Sequence, residues 1–199
     1  MHRDTTLSQA VWRDNGLLRG AAMVLGGSVF VALAAQISIP FWPVPMTLQV
    51  LAVLLVGFTF GARLGAATLL VYLAQGAAGL PVFANGGGGL VYLSGPTLGF
   101  LLGFVAMAWA AGWAAERGIA RGFFGTSLTG LVLSAALYLP GVAWPMGLAA
   151  AIGLDAGWAG QGWGYYWQYF VGPYLLGDAL KAVIAALVVT GGWAALARR

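Results

Sequence analysis

Apolar residues run along the chain in six long stretches, which short segments rich in polar residues, glycine or proline separate. Each stretch is close in length to the roughly 20 residues with which a helix crosses the hydrocarbon core of a bilayer. The alternation of apolar and polar positions that marks a membrane β-barrel does not occur. The pattern therefore predicts an all-α membrane protein, a bundle of six transmembrane helices. The predicted spans are Leu17–Ile39, Met46–Ala62, Leu64–Leu80, Thr97–Ala115, Thr126–Ala150 and Val171–Ala197.

The composition of the chain supports the same conclusion. Hydrophobic residues make up 61% of the 199 residues and charged residues only 7%, whereas roughly a quarter of an ordinary globular protein is charged. Nine basic and five acidic side chains are too few to cover a soluble domain, so a bilayer must supply the missing apolar solvent. The same numbers, with no cysteine, exclude a disordered chain, a disulfide-stabilised scaffold and a nucleic-acid-binding protein.

The basic residues fall on one side of the predicted bundle. Eight of the nine precede or open the first span, lie between spans two and three or four and five, or follow the sixth. The loops near residues 40–45, 81–96 and 151–170 contain no lysine or arginine. Since cytoplasmic loops carry the excess of positive charge, we expect both termini in the cytoplasm. The prediction is a cytoplasmic tail over residues 1–16 and a single transmembrane domain over residues 17–197, in the cytoplasmic (inner) cell membrane.

The three loops on the opposite side are apolar and rich in proline, glycine or aromatic residues. Loop 40–45 reads PFWPVP, loop 81–96 contains four consecutive glycines, and loop 151–170 holds six tryptophan and tyrosine residues. Aromatic residues at this level are typical of a belt at the membrane–water interface. The same loops are also able to fold inward over a pocket, because non-helical backbone is tolerated at membrane depth where protein buries it.

One pair of opposite charges lies inside a span, Asp178 and Lys181 in the sixth. Residues three apart share one face of a helix, so we expect these side chains to lie together. An ionisable group within a membrane costs at least about 2.5–3.5 kcal/mol on insertion scales, which makes it a candidate functional site. The alternative is an ion pair that only orients its helix, although buried pairs seldom gain stability over apolar residues.

Three further polar residues are expected on the same side of the bundle. Gln49 lies at the start of the second span, while Asn85 and Tyr92 lie in the loop after the third. Each has an ordinary structural explanation, as a helix cap, an Asn-Gly turn and a belt residue respectively. Their common side favours a joint binding site with Asp178 and Lys181.

The sequence offers no catalytic machinery. Its sole histidine is His2, in the predicted tail, so no base lies within a span to activate a serine nucleophile. No cluster of His, Cys, Asp or Glu has metal-ligand spacing. Gly86–Gly89 is followed by Leu90 and Val91, without the lysine and hydroxyl residue of a phosphate-binding loop. We therefore expect a protein that is not an enzyme and has no catalytic residue, metal or cofactor.

Five short motifs occur in a recognisable order. They are PVPMTLQ at Pro43–Gln49, GARLG at Gly61–Gly65, GLPVF at Gly79–Phe83, GPTLGF at Gly95–Phe100 and GDALK at Gly177–Lys181. In sequence and spacing they resemble the BioY family, the biotin-binding S components of energy-coupling-factor (ECF) transporters. The resemblance extends from about residue 36 to about residue 185.

This resemblance implies a six-helix protein that captures biotin from the outside. It also implies a transmembrane coupling subunit with two cytoplasmic ATPase subunits as partners, within a lipid bilayer and without nucleic acid. The ureido ring of biotin has two N–H groups that suit an acceptor such as Asp178, and a carbonyl that suits a donor such as Asn85 or Lys181. Whether Lys181 or an uncharged donor meets the valerate carboxylate stays open. The implied substrate-binding residues are Asn85, Asp178 and Lys181, with Gln49 and Tyr92 as additions.

The first helix lacks the Ala-x-x-x-Ala repeat through which S components typically dock on the coupling subunit. It has Ala22-x-x-x-Gly26 and Ser28-x-x-x-Ala32 instead. Small residues at this spacing permit close helix approach, which suits docking and packing within the bundle equally.

Two other functions stay open. One is an S component for another vitamin, with the same architecture and a different pocket. The other is a self-contained ion-coupled carrier of a small solute, with Asp178 and Lys181 as a proton relay. Carriers usually contain internal repeats, and residues 17–80 and 97–197 show no convincing self-similarity.

Overall fold

The computed structural model describes residues 6–7, 16–154 and 156–197, and most of these residues are helical. The described residues also include an antiparallel pair of short strands, β1 (Ser38–Ile39) and β2 (Met46–Thr47). The α-helices of more than three residues are α1 (Leu17–Gln36), α2 (Gln49–Phe60), α3 (Ala62–Ala77), α4 (Gly89–Leu93), α5 (Leu98–Glu116), α6 (Phe123–Ala143), α7 (Trp163–Tyr166) and α8 (Leu175–Ala197).

Within the described residues, four helical stretches are long and apolar enough to cross a membrane: Leu17–Gln36, Leu98–Glu116, Phe123–Ala151 and Trp163–Ala197. This agrees with the prediction of a helical membrane protein. α2 and α3 have 12 and 16 residues, which is shorter than the roughly 20 that a lone spanning helix needs. Eight residues of α2 are buried, so protein surrounds much of this helix. Six crossings and the cytoplasmic position of the termini stay predictions.

α2 and α3 meet at a sharp corner without a connecting loop. Gly61 joins them with a φ of +87°, a left-handed conformation that glycine adopts without strain. The Ala62 N–H donates a hydrogen bond of 2.8 Å to the Glu116 carboxylate at the end of α5, which satisfies one of the free N–H groups at the start of α3. Ala62, the last residue of the second predicted span, thus begins the next helix.

Glycines allow α2, α3 and α5 to approach closely. A Cβ atom at Gly57 or Gly65 would meet the backbone of Ala108 in α5, and such small-residue contacts are typical of membrane helices. The surrounding core is apolar and includes Val53, Leu54, Leu69, Phe104 and Ala111.

Two helices lose their regular geometry near one end of the bundle. Pro140 lies within α6 and is followed by a π-helical turn at Trp144–Leu148, because proline has no N–H to donate and disrupts a helix. A π-helical turn at Trp167–Val171 and a 3-10 turn at Gly172–Tyr174 precede α8. Tyr174 of the second irregular region, both residues of β2 and Tyr92 of α4 line a common cavity.

Candidate functional site

The cavity lies between the start of α2, the start of α8, the middle of α6 and the segment that contains α4. The volume of the cavity that is open to the centre of a water molecule is about 50 Å³. Most of its wall is apolar, and a few polar side chains converge on it, which is the usual composition of a small-molecule site. Its lining residues are Val44, Pro45, Met46, Thr47, Gln49, Val50, Ala84, Tyr92, Thr97, Phe100, Leu101, Phe104, Leu137, Tyr138, Tyr174, Asp178 and Lys181.

Asp178 and Lys181 form a buried ion pair in the wall of this cavity. The Lys181 Nζ atom lies 2.9 Å from Asp178 Oδ1, and the side chains are 8% and 7% exposed respectively. Asp178 is in the first turn of α8, where the helix dipole favours a negative charge. The expectation that these two side chains lie together is confirmed.

Tyr138 of α6 holds the other oxygen of the same carboxylate. Its hydroxyl donates a hydrogen bond of 2.6 Å to Asp178 Oδ2, and bonds to an ionised acceptor are among the stronger ones in proteins. Both carboxylate oxygens are therefore fixed in position from two different helices. Sequence reasoning missed Tyr138, whose only signal is a hydroxyl-bearing ring in the middle of an apolar span.

Gln49 lies in the cavity wall with its amide held in a defined orientation. Its Oε1 atom accepts a hydrogen bond of 3.1 Å from the Thr47 hydroxyl, and its Nε2 donates one of 2.8 Å to the Tyr72 hydroxyl. Tyr72 is fully buried and donates in turn to the Val82 carbonyl at 3.1 Å. A chain of hydrogen bonds thus connects the cavity to the segment after α3. The contribution of Tyr72 to this chain was not predicted from the sequence.

Tyr92 of α4 lines the cavity from the segment after α3. Its ring stacks on Phe83 with 5.0 Å between centroids, and a Cβ atom at Gly87 would overlap the ring. Burial raises the pKa of the Tyr92 phenol above its ordinary value, because the anion would lose its hydration. The side chain is therefore an uncharged hydroxyl at physiological pH.

Asn85 lies in a tight turn rather than in the cavity. Its φ is +58° and that of Gly86 is +71°, so the Asn-Gly turn that the sequence indicated is confirmed. Its Oδ1 atom accepts a hydrogen bond of 2.7 Å from the Ser38 hydroxyl. Gln36 fixes the same turn: its Oε1 accepts from the Gly86 N–H at 2.9 Å and its Nε2 donates to the Phe83 carbonyl at 3.0 Å.

A second space, here called the outer chamber, adjoins the cavity. The volume of the chamber that is open to the centre of a water molecule is about 470 Å³. Asn85 lines only this chamber, Gln49, Asp178 and Lys181 line only the cavity, and Tyr92 lines both. The structure thus brings four of the five predicted residues together and places the fifth beside them. The chamber is lined by Pro40, Phe41, Trp42, Pro43, Pro45, Ala84, Asn85, Gly87, Val91, Tyr92, Gly95, Pro96 and Thr97.

The three loops without basic residues fold inward in part, as one of the two alternatives from the sequence expects. Loops 40–45 and 81–96 line the cavity and the outer chamber. In loop 151–170, Trp158 and Tyr166 are buried in a second apolar cluster that includes Tyr138, beside the cavity. Trp163 is exposed, and a belt at the membrane–water interface stays a prediction.

The chain is similar to proteins of a known family. Residues 4–198 match the model of the BioY family. The chain is 37% identical over 164 residues to "Biotin transporter BioY" of Rhizobium etli, covering 80% of this chain and 83% of that protein. It is also 37% identical over 166 residues to "Probable biotin transporter BioY" of Pyrococcus horikoshii, covering 81% and 90% of the two chains.

A solved structure has the same fold. It is the "Crystal structure at 2.1 A of the S-component for biotin from an ECF-type ABC transporter". It superposes with a TM-score of 0.60 over 87% of this chain and 89% of the other, at 22% sequence identity.

Proposed function

Because the chain belongs to the BioY family, we propose that it captures biotin for uptake across the cell membrane, as the substrate-binding S component of an ECF transporter. The observation that carries this proposal is the convergence of a few hydrogen-bonding groups on an otherwise apolar cavity. Asp178 and Lys181 are the most polar of these groups, and Tyr138 and Lys181 fix the carboxylate between them. The role is capture and transfer, so we assign no catalytic step to the chain.

The chemistry of biotin suits these groups. Its ureido ring offers two N–H donors and one carbonyl, and a carboxylate has about four lone-pair sites. Asp178 therefore accepts from a ureido N–H while it keeps its contacts with Tyr138 and Lys181. Lys181 has three N–H donors, of which the contact with Asp178 uses one, so it also donates to the ureido carbonyl.

The other polar residues have supporting roles in this proposal. Gln49 presents an oriented amide that binds the remaining ureido group, and the Tyr92 hydroxyl meets the ligand from the segment after α3. Asn85 contacts the ligand from the outer chamber. The thiophane ring and the valerate chain lie against apolar side chains such as Phe100 and Leu137, which line the cavity, because apolar walls hold such groups by excluding water.

The same proposal extends to topology and partners. Six crossings of the cytoplasmic (inner) membrane with both termini inside would place the cavity at the outer face, where biotin arrives. The chain would deliver biotin to a transmembrane coupling subunit with two ATPase subunits. Ala22 and Gly26 are exposed on α1, whereas Ser28 is buried, which supports docking of the coupling subunit along the Ala22–Gly26 face.

The test of the proposed function is a competition experiment on the detergent-purified chain. Labelled biotin should be displaced by unlabelled biotin and not by riboflavin, thiamine or folate at the same concentration. Binding of labelled riboflavin, thiamine or folate by a chain that does not bind labelled biotin would contradict the proposal and favour an S component of different specificity. Uptake into vesicles that contain this chain alone, if a protonophore abolishes it, would favour the ion-coupled carrier.

Replacing Tyr138 with Phe should lower the affinity for biotin by about tenfold, which corresponds to about 1.4 kcal/mol. The variant removes the hydrogen bond that fixes Asp178 Oδ2 and leaves the ring in place, so Tyr138 acts as a positioning residue. Equilibrium binding measures the loss. Tyr166→Phe is the matched control, because the Tyr166 hydroxyl bonds to the Trp158 carbonyl and does not line the cavity. Equal affinities in both variants would contradict the positioning role.

A further inference from the structure

The outer chamber adjoins the cavity around Asp178. Pro45, Ala84, Tyr92 and Thr97 line both spaces, and the boundary that these four residues form is here called the neck. The chamber offers about 470 Å³ to the centre of a water molecule and the cavity about 50 Å³. A ligand that fills the cavity therefore has a much larger space directly beyond the neck.

The two spaces differ in charge. The cavity contains the ion pair of Asp178 and Lys181 at 2.9 Å, so its positive charge is already matched. None of the described residues that line the outer chamber is charged. A ligand carboxylate placed in the cavity would be a second anion beside a single buried cation. Repulsion by Asp178 and the loss of hydration both disfavour that arrangement.

The two ends of biotin also differ in charge. The ureido ring is neutral and offers donors and an acceptor to the ion pair, whereas the carboxylate is charged and lies at the end of a flexible chain. At the neck, the Tyr92 and Thr97 side chains carry uncharged hydroxyls. Such hydroxyls bind a carboxylate oxygen or an amide carbonyl alike. The neck therefore does not require a negative charge on the ligand.

We propose that the outer chamber is a second subsite, which holds whatever group is attached to the carboxyl carbon of biotin. This proposal rests on biotin as the ligand of the cavity. In this arrangement the ureido ring binds Asp178 and Lys181, the valerate chain lies in the neck, and the attached group lies near Trp42 and Val91. The chain then takes biotin amides, such as biotinyl-lysine, as a further class of ligand.

Competition against labelled biotin on the purified full-length chain tests the subsite. Biotinyl-lysine and biotin methylamide should bind within about tenfold of the affinity of biotin. If biotin binds but both amides bind at least about a hundredfold more weakly, the subsite proposal is overturned and the proposed function remains. Failure of biotin itself to bind would overturn both proposals.

A pair of variants locates the amide-linked group. Val91 lines the outer chamber and Leu90 does not, and both are strongly exposed residues of α4. Val91→Trp should fill part of the chamber and weaken biotinyl-lysine at least about tenfold more than biotin, whereas Leu90→Trp should change neither affinity. Equal effects of Val91→Trp on the two ligands, or no effect on either, would contradict this placement.

Discussion

Replacing Asp178 with Ala should lower the affinity for biotin by at least about a hundredfold, or about 2.7 kcal/mol. The substitution removes the acceptor that we assign to the ureido N–H and leaves the Lys181 ammonium without its partner in a buried wall. A hydrogen bond to a charged group contributes about 1.5–3 kcal/mol. Equilibrium binding of labelled biotin to the purified variant measures the effect.

Asp178→Asn is the companion variant, because it keeps the size of the side chain and removes only the charge. It should also lose most of its affinity, since a neutral amide oxygen is a weaker acceptor than a carboxylate. Gln168→Ala changes a polar residue at a position outside the cavity lining and should bind like the unmodified chain. Retention of biotin by both Asp178 variants would contradict the assigned role of this carboxylate.

Replacing Lys181 with Met should lower the free energy of unfolding by about 3–5 kcal/mol, because an unpaired carboxylate would remain buried. Lys181→Met keeps the length of the apolar part of the side chain, so lost packing contributes little. The thermal midpoint of the variant in detergent, relative to the unmodified chain, measures this loss.

The double variant Asp178→Asn/Lys181→Met separates structure from function. Replacing both partners of a buried pair is often neutral for stability, so the thermal midpoint should recover most of what Lys181→Met loses. Biotin binding should remain lost, because the acceptor and the donor for the ureido ring are both gone. A double variant that is stable and binds biotin normally would favour the alternative in which the pair only orients its helix.

The sequence predicted the parts of the molecule that depend on local pattern. Long apolar stretches predicted the membrane-capable helices, and the spacing of three residues predicted the contact between Asp178 and Lys181. The Asn-Gly dipeptide at Asn85 predicted its turn. Each of these features depends on residues that are close together in the chain, so periodicity and composition were sufficient.

The features that the sequence did not predict depend on contacts between distant segments. Tyr138 reaches Asp178 across 40 positions of the chain, and Gln36 reaches the turn at Gly86 across 50. The local sequence around a tyrosine in an apolar span does not distinguish a side chain that faces lipid from one that contacts a carboxylate. The division between the cavity and the outer chamber, which separates Asn85 from Gln49, Asp178 and Lys181, likewise depends on how the loops fold back.

We expect this chain alone to form a complete binding site for biotin. The decisive experiment is titration of the detergent-purified chain with labelled biotin, in the absence of ATP and of any partner subunit. One biotin should bind per chain in a saturable manner, and excess unlabelled biotin should abolish the binding of the label. A folded, monodisperse chain that binds no biotin under these conditions would contradict this expectation.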